Sequence, residues 1–247
     1  MASSLFHALN ISRQDMANRL IDLDVVGNNL ANMNTTGFKA SRANFQELLE
    51  DQTRSGTTLL NTQISTQQGS VRASENPLDW AISGEGFFQV ELPDGTTGYT
   101  RDGSFKLDAE GRLVNSSGYY LVWDGELPSA NVSLVVSSEG IVQAQTEEGE
   151  RVDVGTVELA RFANATGLLA QGQNVFLESE ASGEAQLGAP GQEGFGLIST
   201  YSIEQSNVDM AREMTHLMTL QRSFQLAVRA FQQSDTMIGQ AINMRRG

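Results

Sequence analysis

Residues 206–242 read SNVDMAREMTHLMTLQRSFQLAVRAFQQSDTMIGQAI, and the spacing of the apolar side chains in this stretch decides the fold. Met210, Met214, Leu217, Gln221, Phe224, Val228, Phe231, Asp235, Ile238 and Ile242 follow one another at alternating intervals of four and three. Residues three and four apart share one face of an α-helix, so the series predicts one amphipathic helix of about nine turns at 3.6 residues each. No proline interrupts it, and Ser206-Asn207-Val208-Asp209 has the Ser-x-x-Asp form of a capping box at its start. Val208, Ala211, Met218, Leu220, Ala227, Ala230, Met237 and Ala241 widen the apolar arc beyond a single stripe. An arc of that width calls for more than one neighbour.

The other end of the chain repeats the pattern. Phe6, Leu9, Met16, Leu20, Leu23, Gly27 and Leu30 form a heptad stripe interrupted at Arg13. The run Asn28-Asn29-Leu30-Ala31-Asn32-Met33-Asn34-Thr35-Thr36-Gly37 ends it, because Asn competes for backbone hydrogen bonds and Gly takes the left-handed cap readily. This first helix is expected to stop near Asn32 to Asn34.

Between the ends the periodicity shortens to runs rich in Val, Ile, Phe and Tyr. Gly86 to Glu91, Gly98 to Arg101 and Ser104 to Asp108 are each followed by a turn signal, at Pro93-Asp94-Gly95, Asp102-Gly103 and Glu110-Gly111, as in successive hairpins. Further strands are expected at Gly118 to Trp123, Val132 to Val136, Ile141 to Gln145, Val152 to Phe162 and Val175 to Glu178. Asp51 to Ser74 is polar and reads as a connector, and Ser182 to Gly196, with five glycines and Pro190, as the returning one. The expected class is therefore α+β, with long N- and C-terminal α-helices forming a coiled-coil assembly domain around a central β-rich domain. The divisions are residues 1–36 as N-terminal assembly helix, 37–75 as polar connector, 76–200 as β-rich outer domain and 201–247 as C-terminal assembly helix.

The 247 residues carry a net charge of −14, and its placement follows this layout. Residues 1–50 hold four basic and five acidic side chains, and residues 204–247 hold five and four. The middle, with seven basic and 21 acidic side chains, carries the whole excess. Nearly neutral ends suit close packing of many copies, and the same acids also serve solubility. So acidic a chain lacks the clustered Lys and Arg on which nucleic-acid binding rests.

Residue types needed for catalysis are sparse. With no cysteine, the chain has neither disulfides nor thiolate metal sites. The two histidines, His7 and His216, read as helix-surface or packing residues. Gly84-Glu85-Gly86 runs into Phe87-Phe88-Gln89-Val90, a strand, whereas a phosphate cradle must open a helix. Asp94, Asp102, Asp108 and Glu110 have the spacing of hairpin turns rather than that of a Ca²⁺ loop. No enzymatic site, metal or cofactor is expected. No window approaches the length of a membrane span, and the N-terminus lacks the charged and apolar regions of a signal peptide.

Three stretches resemble the bacterial flagellar rod and hook family. The first is Asn28-Asn29-Leu30-Ala31-Asn32 with Thr35-Thr36-Gly37-Phe38-Lys39. The second runs from Pro77 through Asp79-Trp80-Ala81-Ile82-Ser83-Gly84-Glu85-Gly86-Phe87-Phe88 to Val90, with Tyr99-Thr100-Arg101-Asp102-Gly103-Ser104-Phe105. The third is Ser206-Asn207-Val208-Asp209 leading to Glu213-Met214, Gln221-Arg222 and Asp235. Gly84 to Phe105 is most similar to the distal-rod branch. The short connector after Leu49 and Gln221-Arg222-Ser223-Phe224-Gln225-Leu226 depart from that branch, so a proximal rod protein, or an abbreviated rod protein of a bacterium with a single membrane, stays open.

The resemblance implies terminal helices that form the inner tube of an axial structure, with a β-rich domain facing outward. It also implies export by the flagellar type III apparatus and assembly with a cap protein into a homo-oligomeric helical polymer in the basal body, in the periplasm or at the cell exterior. Other rod proteins, the hook protein and bushing-ring proteins would be neighbours. Assembly is then expected to bury Leu9, Met16, Leu20, Leu23, Leu30, Met214, Leu217, Gln221, Phe224, Val228 and Phe231. Within one chain the two helices could instead form an antiparallel pair. A secreted adhesin or binding protein, showing the β domain on a coiled-coil stalk, is the alternative function.

Overall fold

The computed structural model describes residues 2–50, 54–125, 133–145 and 151–246, with side chains for 10–44, 62–125, 134–145 and 151–240. The chain divides into two compact units. One holds the terminal helices, α1 (Ala2–Ala31) and α2 (Met210–Arg246), with a two-stranded ribbon of Ser41–Glu50 and Arg54–Ile64. The other, residues 32–40 and 64–208, is built from short strands. The class is α+β, and residues 37–75, read as a polar connector, contribute both ribbon strands and Val71–Ala73.

In the helical unit α1 and α2 pack against each other. Asp22, Val26 and Asn29 near the end of α1 share a cleft of about 300 Å³ with Arg212, Glu213 and His216 near the start of α2. Burial continues along α2 through Leu220 and Ala227, so the helices run antiparallel. The start of α2 differs from the capping-box expectation. Asp209, rather than Ser206, caps it: its Oδ1 accepts from the backbone N–H groups of Ala211 (3.0 Å) and Arg212 (3.2 Å). Ser206 Oγ accepts from Val208 N (3.3 Å) and shapes the turn before the helix.

The β unit is centred on a seven-stranded antiparallel sheet. Its strands lie in the order Leu169–Gly172, Val175–Leu177, Thr97–Thr100, Phe88–Glu91, Tyr120–Leu121, Leu113–Val114 and Lys106–Leu107. A four-stranded sheet orders Asp124–Gly125, Arg151–Thr156, Ile141–Gln145 and Ser133–Val136. Trp80, Phe88 and Phe105, all fully buried, form the aromatic centre, with Trp80 and Phe105 rings 5.0 Å apart and Phe88 edge-on to Phe105 at 5.3 Å. Such pairs add about 0.5–1.5 kcal/mol each beyond area burial.

Three local expectations are corrected. Val152 to Phe162 is two strands, since Val157 N donates to Gly140 O (2.8 Å) and Leu159–Arg161 leaves to pair with Gln186–Gly188 inside the expected returning connector. Asp102-Gly103 is no exposed turn. Asp102 is buried, accepting from Ser104 N (3.1 Å) and from the Ser116 hydroxyl, while a Cβ on Gly103 would fall 1.7 Å from Trp80 O. Ser104 to Asp108 keeps only Lys106–Leu107 as strand, because Asp108 Oδ1 caps a turn by accepting from Glu110 N (3.0 Å) and Arg112 N (2.7 Å). Val132 lies outside the described residues.

Candidate assembly faces and the root of the β unit

On α2 the less exposed positions include Glu213, Leu217, Leu220, Phe224, Ala227, Phe231, Ser234 and Ile238, a heptad in its own right. Leu220 is 2% exposed. This series shares Leu217, Phe224, Phe231 and Ile238 with the stripe read from sequence but runs through Leu220 and Ala227 where the other ran through Gln221 and Val228. Val228 is half-buried at the margin and Gln221 is exposed. Met210, Met214, Met218, Leu226 and Met237 are left in solvent, Leu226 at 64%.

The offset is larger on α1. The buried positions are Asn18, Val26 and Asn29. Met16, Leu23 and Leu30 are half-buried, Gly27 is exposed, and Leu20 is 50% exposed on the opposite side from Asn18. The Leu9 side chain falls outside the described ones. Asn29 is tolerated inside because Ser41 satisfies both ends of its amide, with Nδ2 donating to Ser41 O and Ser41 N donating to Oδ1, both at 2.9 Å. Burial also raises the Asp22 carboxyl above its usual range, against the opposing charges of His216 and Arg19.

Most of the remaining motif residues lie at the root of the β unit, where the chain enters it and leaves it. Asn28 and Ala31 are exposed and Asn32 half-buried at the close of α1, after which Gly37 turns the chain with φ +66°. A Cβ there would lie 2.4 Å from the Arg101 carbonyl carbon. Gly37 N donates to Glu204 O (2.7 Å), and Asn207 N to Phe38 O (3.3 Å). Asn207 Oδ1 accepts from Ala40 N (2.7 Å), while its Nδ2 donates to Gln67 O (2.8 Å) and Ser65 O (3.2 Å). One asparagine thus ties three segments. Ser206, Asn207, Val208 and Phe38 are half-buried around it.

Beneath this junction lies a buried ion triad. Lys39 Nζ donates to Glu204 Oε1 (2.6 Å) and to Gln67 O (2.8 Å), and Arg101 Nη1 donates to Glu204 Oε2 (3.2 Å). Arg101 Nη2 reaches Gly84 O (2.7 Å), and the guanidinium stands 5.2 Å from the Phe87 ring centre. Gly69 N also donates to Glu204 Oε1 (2.8 Å). The three charged residues are 1–5% exposed. Burial pushes the Lys39 ammonium below its ordinary range, Glu204 works against that shift, and Arg101 adds to it.

Sequence reading includes Lys39 and Arg101 in the quoted motifs without a role, and it misses Glu204. The available signal is a pair of cations set in apolar runs, Gly37-Phe38-Lys39-Ala40 and Gly98-Tyr99-Thr100-Arg101, which need a buried acid. Among the described residues no three His, Asp or Glu side chains converge as metal ligands, and no helix is long and apolar enough to cross a membrane.

The comparisons with known proteins agree along the chain. Residues 9–39 match the family model described as flagella basal body rod protein, residues 81–144 the flagellar hook protein FlgE/F/G D1 domain, and residues 200–244 the flagellar basal body rod FlgEFG protein C-terminal. The flagellar basal-body rod protein FlgG of Borreliella burgdorferi is 37% identical over 98% of this chain and 100% of its own. That of Bacillus subtilis is 34% identical over 94% and 96%. The flagellar hook-basal body complex protein FlhP of Bacillus subtilis is 27% identical over 88% and 91%.

Proposed function

The chain belongs to the flagellar hook and basal-body rod protein family, and from that membership we propose that it builds the distal rod by polymerising through helix faces its own fold leaves uncovered. It is a structural subunit of the basal-body rod, not an enzyme. A stalked adhesin is set aside, because the full-length relatives are rod proteins.

One observation carries the assembly reading: the helices use one seam for each other and leave several large apolar side chains in solvent. Leu217, Leu220, Phe224, Ala227 and Phe231 serve the first, while Met214, Met218, Leu226 and Met237, with Leu20 on α1, remain exposed. Exposed apolar surface of this kind marks an interaction site. When the matching surface sits elsewhere on the next copy, the contact does not close and generates a helical filament. The acidic excess of the middle of the chain then faces outward, where salt screens it.

In this reading residues 1–36 and 201–247 supply the assembly helices, 37–75 the connector and 76–200 the outer domain. The tube passes torque from motor to hook. Its partners are copies of itself, the other rod proteins, the hook protein, the rod cap, the type III export apparatus and the bushing rings where the rod crosses them.

The test substitutes Met218→Asp and Leu226→Asp in cells without a wild-type copy. Swimming and hooks should be lost while the purified chain keeps its circular dichroism and melting temperature, because each carboxylate is costly only once a neighbour buries it. Normal rods carrying either variant would overturn the proposal.

A further inference from the structure

We infer that Glu204 is a latch holding the root of the β unit shut, and that the root opens as a unit of its own while the aromatic core stays closed. The triad brings together the segment entering the β unit (Lys39), the stretch that follows strand Thr97–Thr100 (Arg101) and the segment leaving it (Glu204). Two cations and one carboxylate leave one positive charge in excess, all nearly removed from water. Arg101 Nε has no hydrogen-bond partner, so the buried charge is not fully satisfied even when the root is shut. Remove the carboxylate, and Lys39 and Arg101 face each other in a low dielectric without an ion-pair partner, the exposed Glu85 acting on Arg101 only from beyond ion-pair distance.

The hydrogen bonds around the triad all depend on the same closure. Gly37 N ends on Glu204 O, Gly69 N on Glu204 Oε1, Gln205 N on Ser70 O (2.8 Å) and Ala40 N on Asn207 Oδ1. Gly69 leaves no room for any other path, since a Cβ there would lie 1.9 Å from Gln205 O. The bonds of the aromatic core are separate. Trp80 N donates to Gly103 O (2.8 Å) and Val157 N to Gly140 O (2.8 Å), neither involving the triad. Polar and electrostatic at the root, apolar in the core, the two regions have different physical grounds for staying closed, which is the condition for sub-global opening. The root clamps side by side the segment that enters the β unit and the segment that leaves it.

The experiment is amide hydrogen exchange on the full-length chain carrying Glu204→Gln. Exchange at Gly37, Ala40, Gly69 and Gln205 should rise about a hundredfold while Trp80 and Val157 stay protected. Adding Lys39→Met restores the wild-type charge count, and should recover much of the root protection although it removes a further side chain. Unchanged root exchange, a rise shared equally by the core, or no recovery in the double variant would each overturn the latch. Should Glu204→Gln fail to fold, the wild-type chain in mild urea decides. Root amides exchanging at lower denaturant than core amides support the latch, and a single common transition refutes it.

Discussion

Lys39 Nζ lies 2.6 Å from Glu204 Oε1 although 165 positions separate the two residues in the chain. The bond closes nearly the whole β unit into one loop and joins the segment after the first helix to the segment before the second. Residues quoted as family motifs at opposite ends of the sequence are thereby explained as parts of one junction. Gly37 lets the chain pass over the Arg101 backbone, Lys39 neutralises Glu204, and Asn207 binds both neighbouring segments.

Two glycines at the start of the chain should respond in opposite directions to alanine. Gly37→Ala should destabilise by more than about 1 kcal/mol, because the site needs a positive φ and a Cβ would meet the Arg101 backbone. Gly27→Ala, in α1 with nothing within 4 Å of the new Cβ, should stabilise by about 0.5–1 kcal/mol. Urea unfolding of the purified chain measures both.

Leu220 and Leu226 are six residues apart on α2 and differ in burial, 2% against 64% exposed. Leu220→Ala should cost the helical unit about 2–5 kcal/mol, and Leu226→Ala no more than about 0.5 kcal/mol in the isolated chain. Thermal melts followed at 222 nm, the helix signal, separate the two.

How far the sequence made this legible depends on the element. Both terminal helices and the hairpins turned at Pro93-Asp94-Gly95 and Glu110-Gly111 follow from spacing and turn residues alone. The phase of the helix seam does not. α2 is apolar over so wide an arc that Leu220 and Gln221 are equally plausible from periodicity, and only the partner helix chooses between them. On α1 the seam takes in Asn18 and Asn29 while leaving Leu20 outside, an inversion hydrophobicity cannot report because a backbone hydrogen-bond pair from Ser41 is what makes Asn29 acceptable. Glu204 was hidden for a related reason. Its partners lie 103 and 165 residues away, beyond any local pattern.

The helix cap offers a smaller test. Asp209→Ala should lose about 1 kcal/mol by exposing the Ala211 and Arg212 amides, and Ser206→Ala should lose less, since its hydroxyl bonds only the turn ahead of the helix. The reverse ranking in thermal melts would return the cap to Ser206.

Asp102 gives stability a definite pH dependence. Burial raises its folded-state pKa above the unfolded value of 3.8, although the hydroxyl of Ser116 and the amide of Ser104 oppose the shift. A group raised on folding contributes most below its unfolded pKa, and the contribution is lost as pH rises through the folded one. Asp102→Asn removes the titration, so the stability of the wild type relative to this variant should fall between pH 4 and neutrality. Chemical denaturation of both proteins across that range gives the slope, and its sign is the result that matters.

The most direct test of the central claim is quantitative mass spectrometry of purified hook-basal bodies, from wild-type cells and from cells lacking this chain. The account predicts many copies in each wild-type structure, in fixed ratio to the hook and ring proteins, and basal bodies without a distal rod or hook in the deletion strain. Complete hook-basal bodies that contain none of this chain would contradict it.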